Sequence, residues 1–390
     1  MTQPSVLITG ARAPVALHWC RLFDAAGWSV VLADSLKAPL ARFSRKKKSF
    51  EPLPSPREEP VAFARRIAEI VDAHNVGLIL PTCEEVFHLA HAAQTSPNGH
   101  QWRDMLYAPS LEALITLHDK ARFNAHVTEI APAFAPAYYR LESADQVERV
   151  PGQDWVFKPC FSRFGTDTMV RPTADQRARI TPSPDRPWIA QAYAKGEELC
   201  CSALVEQGRV LALQAYRPIV RLRRGTGTGA GTGAGGAFEA ADEAAHRAIE
   251  PFVAAVARAM PGRGQLSFDF RSDASGQFKV LECNPRSTSG LHFFPVAQGL
   301  VEAVSSGQET RFRAPPKQLM GERLATALVG GLPALVRLHR LHSLSAWPDD
   351  ALSLWSQARA FGELVRIARR HKCSLEAATT WDIRWDRPHP

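Results

Sequence analysis

A strand–helix–strand pattern at the start of the chain constrains the fold more than any other feature. Residues 6–10 form an apolar run that enters a turn, a helix is predicted over residues 15–26, and a second apolar run spans residues 29–33. Two strands joined through a helix pair in parallel with a right-handed crossover. The turn at residues 10–14 has one glycine where the dinucleotide motif G-x-G-x-x-G needs three, so no nicotinamide site is expected here.

The composition is that of an ordinary globular protein, with 45% hydrophobic and 22% charged residues. A chain of 390 residues is long for one hydrophobic core, so two or three domains are expected. No run approaches about 18 apolar residues, and the N-terminus lacks the pattern of a signal peptide, so neither a membrane span nor secretion is expected. The seven cysteines have no metal-type spacing, and reduced thiols in a cytoplasmic protein are the simplest interpretation.

The net charge of +8 raises the question of nucleic-acid binding. Its densest cluster lies at residues 42–48, and the last third of the chain is rich in arginine. No zinc-finger, RNA-recognition or interleaved aromatic pattern accompanies these charges, so nucleic acid is not an expected partner. Solvated charge is the favoured interpretation, followed by attraction of an anionic substrate or an acidic partner protein.

Two acidic residues, Glu84 and Glu85, follow a strand predicted over residues 76–80. Ligands of open α/β sheets bind beside the carboxyl ends of the strands, which favours a substrate role. Carboxylates are also stabilising at the N-terminus of a helix, because the helix dipole is positive there. The two interpretations are compatible, and the sequence leaves both open.

A lysine inside an apolar strand indicates an anion site. Lys158 lies in a strand predicted over residues 155–159, and a loop that includes small residues follows at 162–166. Burying a lysine is unfavourable unless it meets an anion, and backbone N–H groups of such a loop can bind phosphate oxygens. The alternative is an edge lysine whose aliphatic stem lies along the strand while its charge reaches water.

A hairpin in the last third of the chain carries a crowded acidic face. Apolar and polar residues alternate on both sides of the turn at residues 273–276, which predicts two paired strands. Symmetric pairing places Asp269 opposite Glu282, with Asn284 on the same face. Two residues are predicted to face the other side: Leu281 and Cys283. Two carboxylates and an amide oxygen together suit a hard divalent cation, whereas a solvated polar face is the alternative.

Two further segments leave their roles open. Residues 225–236 alternate glycine with small residues and lack the Lys-Ser/Thr ending of a P-loop, so they are a mobile lid or an inert insertion. Beyond residue 315 the chain is basic, with helices predicted over residues 323–329, 335–341 and 351–370. These helices are either docking elements within the protein or an interaction surface.

These features, in this order, resemble the ATP-grasp proteins of the carbamoyl-phosphate-synthetase-like group, which includes biotin carboxylase and D-alanine–D-alanine ligase. The resemblance covers roughly residues 5–300. It implies an ATP-grasp fold of mixed α/β and α+β class. The implied domains are a Rossmann-like pre-ATP-grasp domain at 1–110, an ATP-grasp domain of two α+β lobes at 111–310 with the glycine-rich lid at 225–236, and a helical C-terminal region at 311–390.

The resemblance also implies roles for individual residues. Lys120 and Lys158 match the two lysines that hold the phosphates of ATP, and Glu198 matches the carboxylate that binds the ribose. Three residues match the interdomain hinge that reads adenine: Gln191, Ala192 and Ala194. The family often has glutamate at the position of Gln191, so this chain departs from the pattern there.

The metal ligands implied by the resemblance are Asp269, Glu282 and Asn284, with magnesium as the ion and manganese as an alternative. Arg286 matches an arginine near the transferred phosphate, and Arg217 resembles a basic residue that approaches the γ-phosphate. The following segment, residues 287–292, could line an acceptor pocket. Its His292 is interpreted as an acid/base or substrate-orienting residue, or equally well as a packed structural histidine.

The reaction implied by the resemblance is that of an ATP-dependent ligase. A carboxylate would be activated as an acyl phosphate and then attacked by an amine or thiol, on an amino-acid-like or small acyl substrate. A first alternative is a ligase directed at an acidic carrier protein, which the basic C-terminal region would dock. A second is an ATP-binding regulatory protein without turnover. The sequence leaves a homodimer open.

Overall fold

The computed structural model describes residues 3–386 apart from 164, 166, 222–234 and 323–339. The first sheet is parallel and contains β1 (Ser5–Thr9), β2 (Ser29–Asp34), β3 (Ser49–Pro52) and β4 (Leu78–Pro81). Their order across the sheet is β3-β2-β1-β4. The parallel unit predicted at the start of the chain is confirmed.

Helices bury both faces of this sheet: α1 (Pro14–Ala25), α2 (Pro60–His74) and α3 (Glu85–Thr95). Successive residues of β1 point to opposite sides, so Val6 and Ile8 pack with Trp19 of α1 while Leu7 packs with Phe63 of α2. Burial on both faces is expected of a parallel sheet.

The turn after β1 packs closely on the start of α3. Gly10 has a φ of +69°, and a Cβ there would lie 2.7 Å from both Glu85 Oε1 and Thr82 Oγ1. Glu85 Oε1 accepts hydrogen bonds from Thr9 Oγ1 at 2.8 Å and from the Thr82 backbone N–H at 3.0 Å. The single glycine of this turn therefore allows a close approach within the protein.

The second sheet is antiparallel, in the order β5-β8-β6-β7. Its strands are β5 (Tyr138–Leu141), β6 (Trp155–Pro159), β7 (Met169–Val170) and β8 (Trp188–Ala192). The helices of this part of the chain are α4 (Leu111–His118), α5 (Lys120–Ile130), α6 (Ala144–Glu148) and α7 (Ala174–Arg177). Ser110 caps α4 by accepting from the Ala113 N–H, and Asp119 caps α5 by accepting from the Ala121 and Arg122 N–H groups.

The third sheet has seven strands in the order β13-β12-β9-β10-β11-β14-β15. They are β9 (Glu198–Glu206), β10 (Arg209–Arg221), β11 (Gly235–Ala240), β12 (Arg263–Ser272), β13 (Phe278–Asn284), β14 (Leu319–Gly321) and β15 (Leu341–Ser343). Helix α8 (Glu243–Ala259) covers one face, where Phe252 meets Phe268 and Phe270 at centroid distances of 5.1 and 5.3 Å. The predicted hairpin, β12–β13, lies at the edge of this sheet.

The C-terminal part mixes strands and helices. It contains α9 (Leu300–Ser306), the sheet strands β14 and β15, α10 (Leu354–His371) and α11 (Leu375–Ala378). The segment 311–390 is thus not only helical, because its short strands continue the hydrogen-bonded ladder of β11. The helix predicted over 323–329, all but the end of that over 335–341, and all but the last two residues of the lid at 225–236 lie outside the described residues. No helix in the described part of the chain is long and apolar enough to cross a membrane.

Candidate active site

Asp269 and Glu282 are directly paired across β12 and β13, as the sequence predicts. The same row of the sheet continues through Cys200 on β9 to Tyr216 on β10. Because side chains alternate along a strand, this row faces away from α8, whose side is occupied by aromatic residues of β12. The two carboxylates therefore lie on the face of the sheet that α8 leaves open.

A β-bulge follows this pair. Phe270 pairs with Val280, so Leu281 is an extra residue in β13. Val280 and Cys283 both belong to the core under α8, whereas Leu281 is only partly buried. The predicted alternation holds for Cys283 and is interrupted at Leu281.

The backbone of the bulge receives two side chains from the second sheet. The Leu281 carbonyl accepts hydrogen bonds from Lys158 Nζ at 3.1 Å and from Gln191 Nε2 at 3.2 Å. Lys158 is 6% exposed and Gln191 is 1% exposed. Strands β6 and β8 thus bring their polar residues to the wall that β13 forms.

Lys120 adds a third contact between the residues around the second sheet and strand β13 of the third sheet. It occupies the first position of α5, and its Nζ lies 3.3 Å from Glu282 Oε2. The same Nζ donates to the Ser162 carbonyl at 2.9 Å, just after β6. Lys120 is 4% exposed, which is rare for a lysine unless it is paired.

The charged groups of this cluster shift one another's pKa values. Burial by itself would raise the pKa of Glu282, but Lys120 and Lys158 bring that pKa below its ordinary value. Burial lowers the pKa of Lys158 to about 8, and Glu282 only partly opposes the shift. Two nearly buried ammonium groups thus lie beside two carboxylates, Glu282 and Asp269, so the site holds charges of both signs.

Asn284 and Arg286 extend the cluster along the chain. Asn284 Nδ2 donates to Asp269 Oδ2 at 3.5 Å, and Arg286 Nη2 donates to Asn284 Oδ1 at 3.3 Å. The Arg286 carbonyl accepts from Ser267 Oγ at 3.1 Å, which holds the end of β13 against β12. The structure therefore brings together the three candidate metal ligands and the arginine that the resemblance to ATP-grasp proteins implies.

The predicted hinge joins the second and third sheets. The Ala192 N–H donates to the Ala137 carbonyl at 2.9 Å, and Ala194 is buried. Glu198 is partly buried at the start of β9, opposite Arg271 of β12. The backbone therefore passes from the second sheet to the third beside the carboxylate row.

Asn124 is a site residue that sequence reasoning missed. Its side chain is fully buried, donates to the Lys120 carbonyl at 2.8 Å, and accepts from Gln191 Nε2 at 3.3 Å. It lies one helical turn after Lys120 on α5, so the spacing offered a weak signal. Asn124 positions Gln191 relative to the helix that carries Lys120.

Arg217 and His292 have other surroundings. Arg217 follows Tyr216 on β10, and its Nη2 lies 3.5 Å from Glu197 Oε2. His292 lies in a short 3-10 helix, is 5% exposed, and packs edge-on against His18 of α1 at 5.3 Å between ring centroids. Burial, followed by His18 and Arg21, holds the pKa of His292 well below its ordinary value. These contacts favour the packed alternative for His292.

The donor set fits a divalent cation shared with a ligand. In the described ranges, no group of three or more His, Cys, Asp or Glu side chains is placed to hold a metal. Asp269, Glu282 and Asn284 instead offer two carboxylates and an amide oxygen. Magnesium is commonly bound by one or two carboxylates together with substrate phosphates, so this set is sufficient only with a phosphate ligand.

Solved structures resemble this architecture closely. An L-amino acid ligase from Bacillus licheniformis has a TM-score of 0.58 at 15% identity, with 76% of this chain and 71% of that chain covered. The N5-carboxyaminoimidazole synthetase of Staphylococcus aureus, complexed with ADP, has a TM-score of 0.61 at 12% identity, with 92% and 96% covered. The chain has the ATP-grasp fold.

A third ATP-grasp neighbour is the biotin carboxylase domain of the 2-oxoglutarate carboxylase of Hydrogenobacter thermophilus, in complex with MgADP, ADP and bicarbonate. It has a TM-score of 0.58 at 13% identity and covers 80% of this chain and 72% of that chain. No protein-family model matches the chain, and no curated protein matches it in sequence. At these identities the similarity establishes the ATP-grasp fold, and the roles of individual residues depend on the geometry above.

Proposed function

We propose that this protein is an ATP-dependent ligase that activates a carboxylate as an acyl phosphate, with release of ADP, for attack by an amine or a thiol. The observation that carries the proposal is the cluster of Asp269 and Glu282 with the buried lysines Lys120 and Lys158. Charge of both signs at one place suits a triphosphate with its divalent cation. The neighbours crystallised with ADP or MgADP support this interpretation.

In the proposed arrangement, the nucleotide lies between the second and third sheets. Lys120 and Lys158 bind phosphate oxygens, the hinge residues Gln191, Ala192 and Ala194 contact the adenine, and Glu198 binds the ribose. Asp269, Glu282 and Asn284 hold magnesium, which supplies charge neutralisation for the phosphates; manganese is an alternative ion.

Arg286 is the protein's own cation at the reacting phosphate. It follows the carboxylate row directly and is held by Asn284. In the proposed reaction, an oxygen of the substrate carboxylate attacks the γ-phosphorus, the bond to the β-phosphate oxygen breaks, and ADP leaves. Arg286 stabilises the negative charge that develops in transfer, with Arg217 of β10 as the second cation proposed for this role. The amine or thiol then attacks the acyl carbon, and inorganic phosphate leaves.

The proposed substrate is amino-acid-like or a small acyl compound. The first neighbour, an L-amino acid ligase, supports this class. Beside Arg286 lies a buried hydroxyl cluster in which Thr288 Oγ1 lies 3.1 Å from Tyr216 Oη and 2.6 Å from Ser202 Oγ. Hydroxyl groups that can both donate and accept suit a small polar acid.

The test is a screen for ADP formation. Purified protein is incubated with ATP, magnesium and single carboxylic acids, with and without an amine or thiol, and the products are identified by mass spectrometry. We expect ADP formation that depends on both magnesium and one class of acid. Measurable ATP binding without ADP formation from any acid would instead support the non-catalytic regulatory alternative.

A second candidate, a ligase directed at an acidic carrier protein, is favoured by the outer face of α10. Leu354, Trp355 and Phe361 are 74%, 63% and 55% exposed. The exposed basic residues of the same helix are Arg359, Arg366, Arg369 and Arg370. The only acidic residue of the helix, Glu363, is turned inward and accepts from the Lys37 and Ala38 N–H groups.

An apolar and basic face of this kind complements an acidic amphipathic helix. The corresponding test compares ADP formation with a free acid and with the same acid on an acidic carrier. A requirement for the carrier that weakens steeply with salt would support this candidate.

A further inference from the structure

The C-terminal strap, defined as residues 379–386, lies along the carboxyl edge of the first sheet. Asp382 forms an ion pair with Arg12, at 2.6 Å between Oδ1 and Nη1, and Arg12 also pairs with Asp34 at the end of β2. Asp34 is buried, and Arg12 has only 5% of its side chain exposed. The edge where open α/β sheets bind ligands is therefore contacted here by the protein's own C-terminal segment.

Trp385 anchors the end of the strap. It is 3% exposed and stacks on Phe87 of α3, with ring centroids 6.0 Å apart and planes 16° from parallel. His88 meets the same indole edge-on at 5.1 Å. An indole buried in this way adds both apolar contact and a fixed geometry, so the residues beside it are well positioned.

Arg163, in the segment after β6, is bound from two sides. Its Nε donates to the carboxylate of Glu84 at the start of α3, its Nη2 donates to the Trp385 carbonyl at 2.6 Å, and its Nη1 lies 2.7 Å from Asp386 Oδ1. All three guanidinium nitrogens are thus engaged by the first sheet's domain and the strap. Arg163 therefore acts as a tether between the segment that carries it and these two partners.

The tether lies next to the candidate nucleotide site. Ser162, the residue before Arg163, accepts the hydrogen bond from Lys120 Nζ, and Lys158 lies at the end of the preceding strand. Glu84 and Arg163 have only 2% and 11% of their side chains exposed, so their pair is shielded from solvent. Such a charge-assisted contact is stronger than a surface ion pair.

We propose that Glu84 and Asp386 are positioning residues that hold Arg163, and with it residues 160–163 after β6, against the helices of the first sheet while nucleotide is bound. The strap thereby keeps the lobe that carries Lys158 closed over the site and slows nucleotide release. This inference rests on the proposed function for the identity of the ligand.

The test uses the full-length protein with Asp386→Asn and Trp385→Ala. The dissociation rate of a fluorescent N-methylanthraniloyl ADP is measured by stopped flow with magnesium, and hydrogen exchange of residues 157–163 is measured without nucleotide. We expect each variant to release the nucleotide about 3- to 10-fold faster, since most effects of lost contacts fall on the dissociation rate. We also expect faster exchange in that segment.

Two controls isolate the tether. Asp154→Asn removes one carboxylate from an exposed ion pair with Arg171 in the same lobe, and should change neither measurement. Asp386 also pairs with Arg384 at 2.9 Å, so Arg384→Gln removes that partner while leaving Arg163 its contacts. It too should leave nucleotide release unchanged.

The outcomes separate the inference from the proposed function. The inference is overturned if the strap variants release the nucleotide at the same rate as the Asp154→Asn control. It is also overturned if Arg384→Gln raises the release rate as much as the strap variants do. If the unaltered protein binds no ADP, the proposed nucleotide site fails. Hydrogen exchange without nucleotide then tests the tether by itself. Faster exchange in the strap variants supports the tether, and unchanged exchange overturns it.

Discussion

Lys120 at the start of α5 forms an ion pair with Glu282 on β13, with 3.3 Å between Nζ and Oε2. This contact joins the helix beside the second sheet to the edge of the third sheet. Lys158 meets the neighbouring backbone carbonyl of the same strand. The candidate site therefore lies between the elements of the second sheet and the third sheet. Its lysines would pair with a phosphate and its carboxylates with a divalent cation.

Replacing Glu282 with glutamine should abolish magnesium-dependent ATP turnover. The amide keeps the shape of the side chain but removes the charge that would bind the cation and pair with Lys120. We expect ADP formation to fall at least about 100-fold, with an unchanged circular dichroism spectrum. Glu309→Gln, in an exposed pair with Arg209, is the control. Near-normal turnover in the Glu282 variant would refute the metal assignment.

Replacing Lys158 with alanine should weaken nucleotide affinity by about 1.5–3 kcal/mol, the usual contribution of a hydrogen bond to a charged group. The dissociation constant for ADP with magnesium, measured by titration calorimetry, provides the test. Lys279→Ala is a matched control, because that lysine lies on β13 but bonds to the Ala133 carbonyl. Equal dissociation constants for the two variants would exclude a phosphate role for Lys158.

Replacing Asn124 with alanine should lower the free energy of unfolding by about 1–3 kcal/mol, because buried polar partners lose their hydrogen bonds. The partners are the Lys120 carbonyl and Gln191 Nε2. Thr128→Ala, one turn later on α5 and bonded through its hydroxyl to the Asn124 carbonyl, is the comparison. Urea unfolding measures both. A loss no larger than that of the Thr128 variant would contradict the positioning role.

Stability should rise with pH between about 4 and 6.5 through the buried His18. Burial lowers its pKa to about 4, despite the hydrogen bond with the Phe294 carbonyl. The unfolded chain therefore binds a proton in this window that the folded protein does not. The contribution of His18 to the free energy of unfolding is fully present above the pKa that His18 has in the unfolded chain. It is lost as the pH falls towards 4, by up to about 3 kcal/mol.

Urea unfolding at pH 5 and 7 checks this expectation. His18→Gln should show a smaller difference between the two pH values than the unaltered protein. The slope should not vanish, since burial also lowers the pKa values of His118 and His292. An equal difference in both proteins would show that His18 does not titrate in this way.

Much of the local structure could be predicted from sequence. The apolar runs of β1 and β2 with α1 between them specify a parallel unit, because that connection has one favourable hand. A connection of this kind depends on neighbouring residues, so it is visible in a linear pattern. The pairing of Asp269 with Glu282 was also predicted, but for an incomplete reason: next to the turn Ser272 pairs with Phe278, and the extra residue in β13 brings Glu282 opposite Asp269.

The bulge at Leu281 could not be read from the pattern. The alternation of apolar and polar residues does not show where an extra residue interrupts the pairing of two strands. At this position, however, the bulge offers a backbone carbonyl to Lys158 and Gln191. The meeting of His292 with His18 of α1 depends in the same way on how separate elements pack.

The sequence by itself determined that Lys158 suits an anion and that Asp269, Glu282 and Asn284 suit a cation, because their chemistry and strand positions follow from short-range rules. Lys120 was implied only by the resemblance to ATP-grasp proteins. Only the tertiary structure decided that Lys120 meets Glu282 and that Arg163 is held by Glu84 and the C-terminal strap. Those contacts join residues far apart along the chain. They depend on how three sheets pack together, which no local spacing encodes.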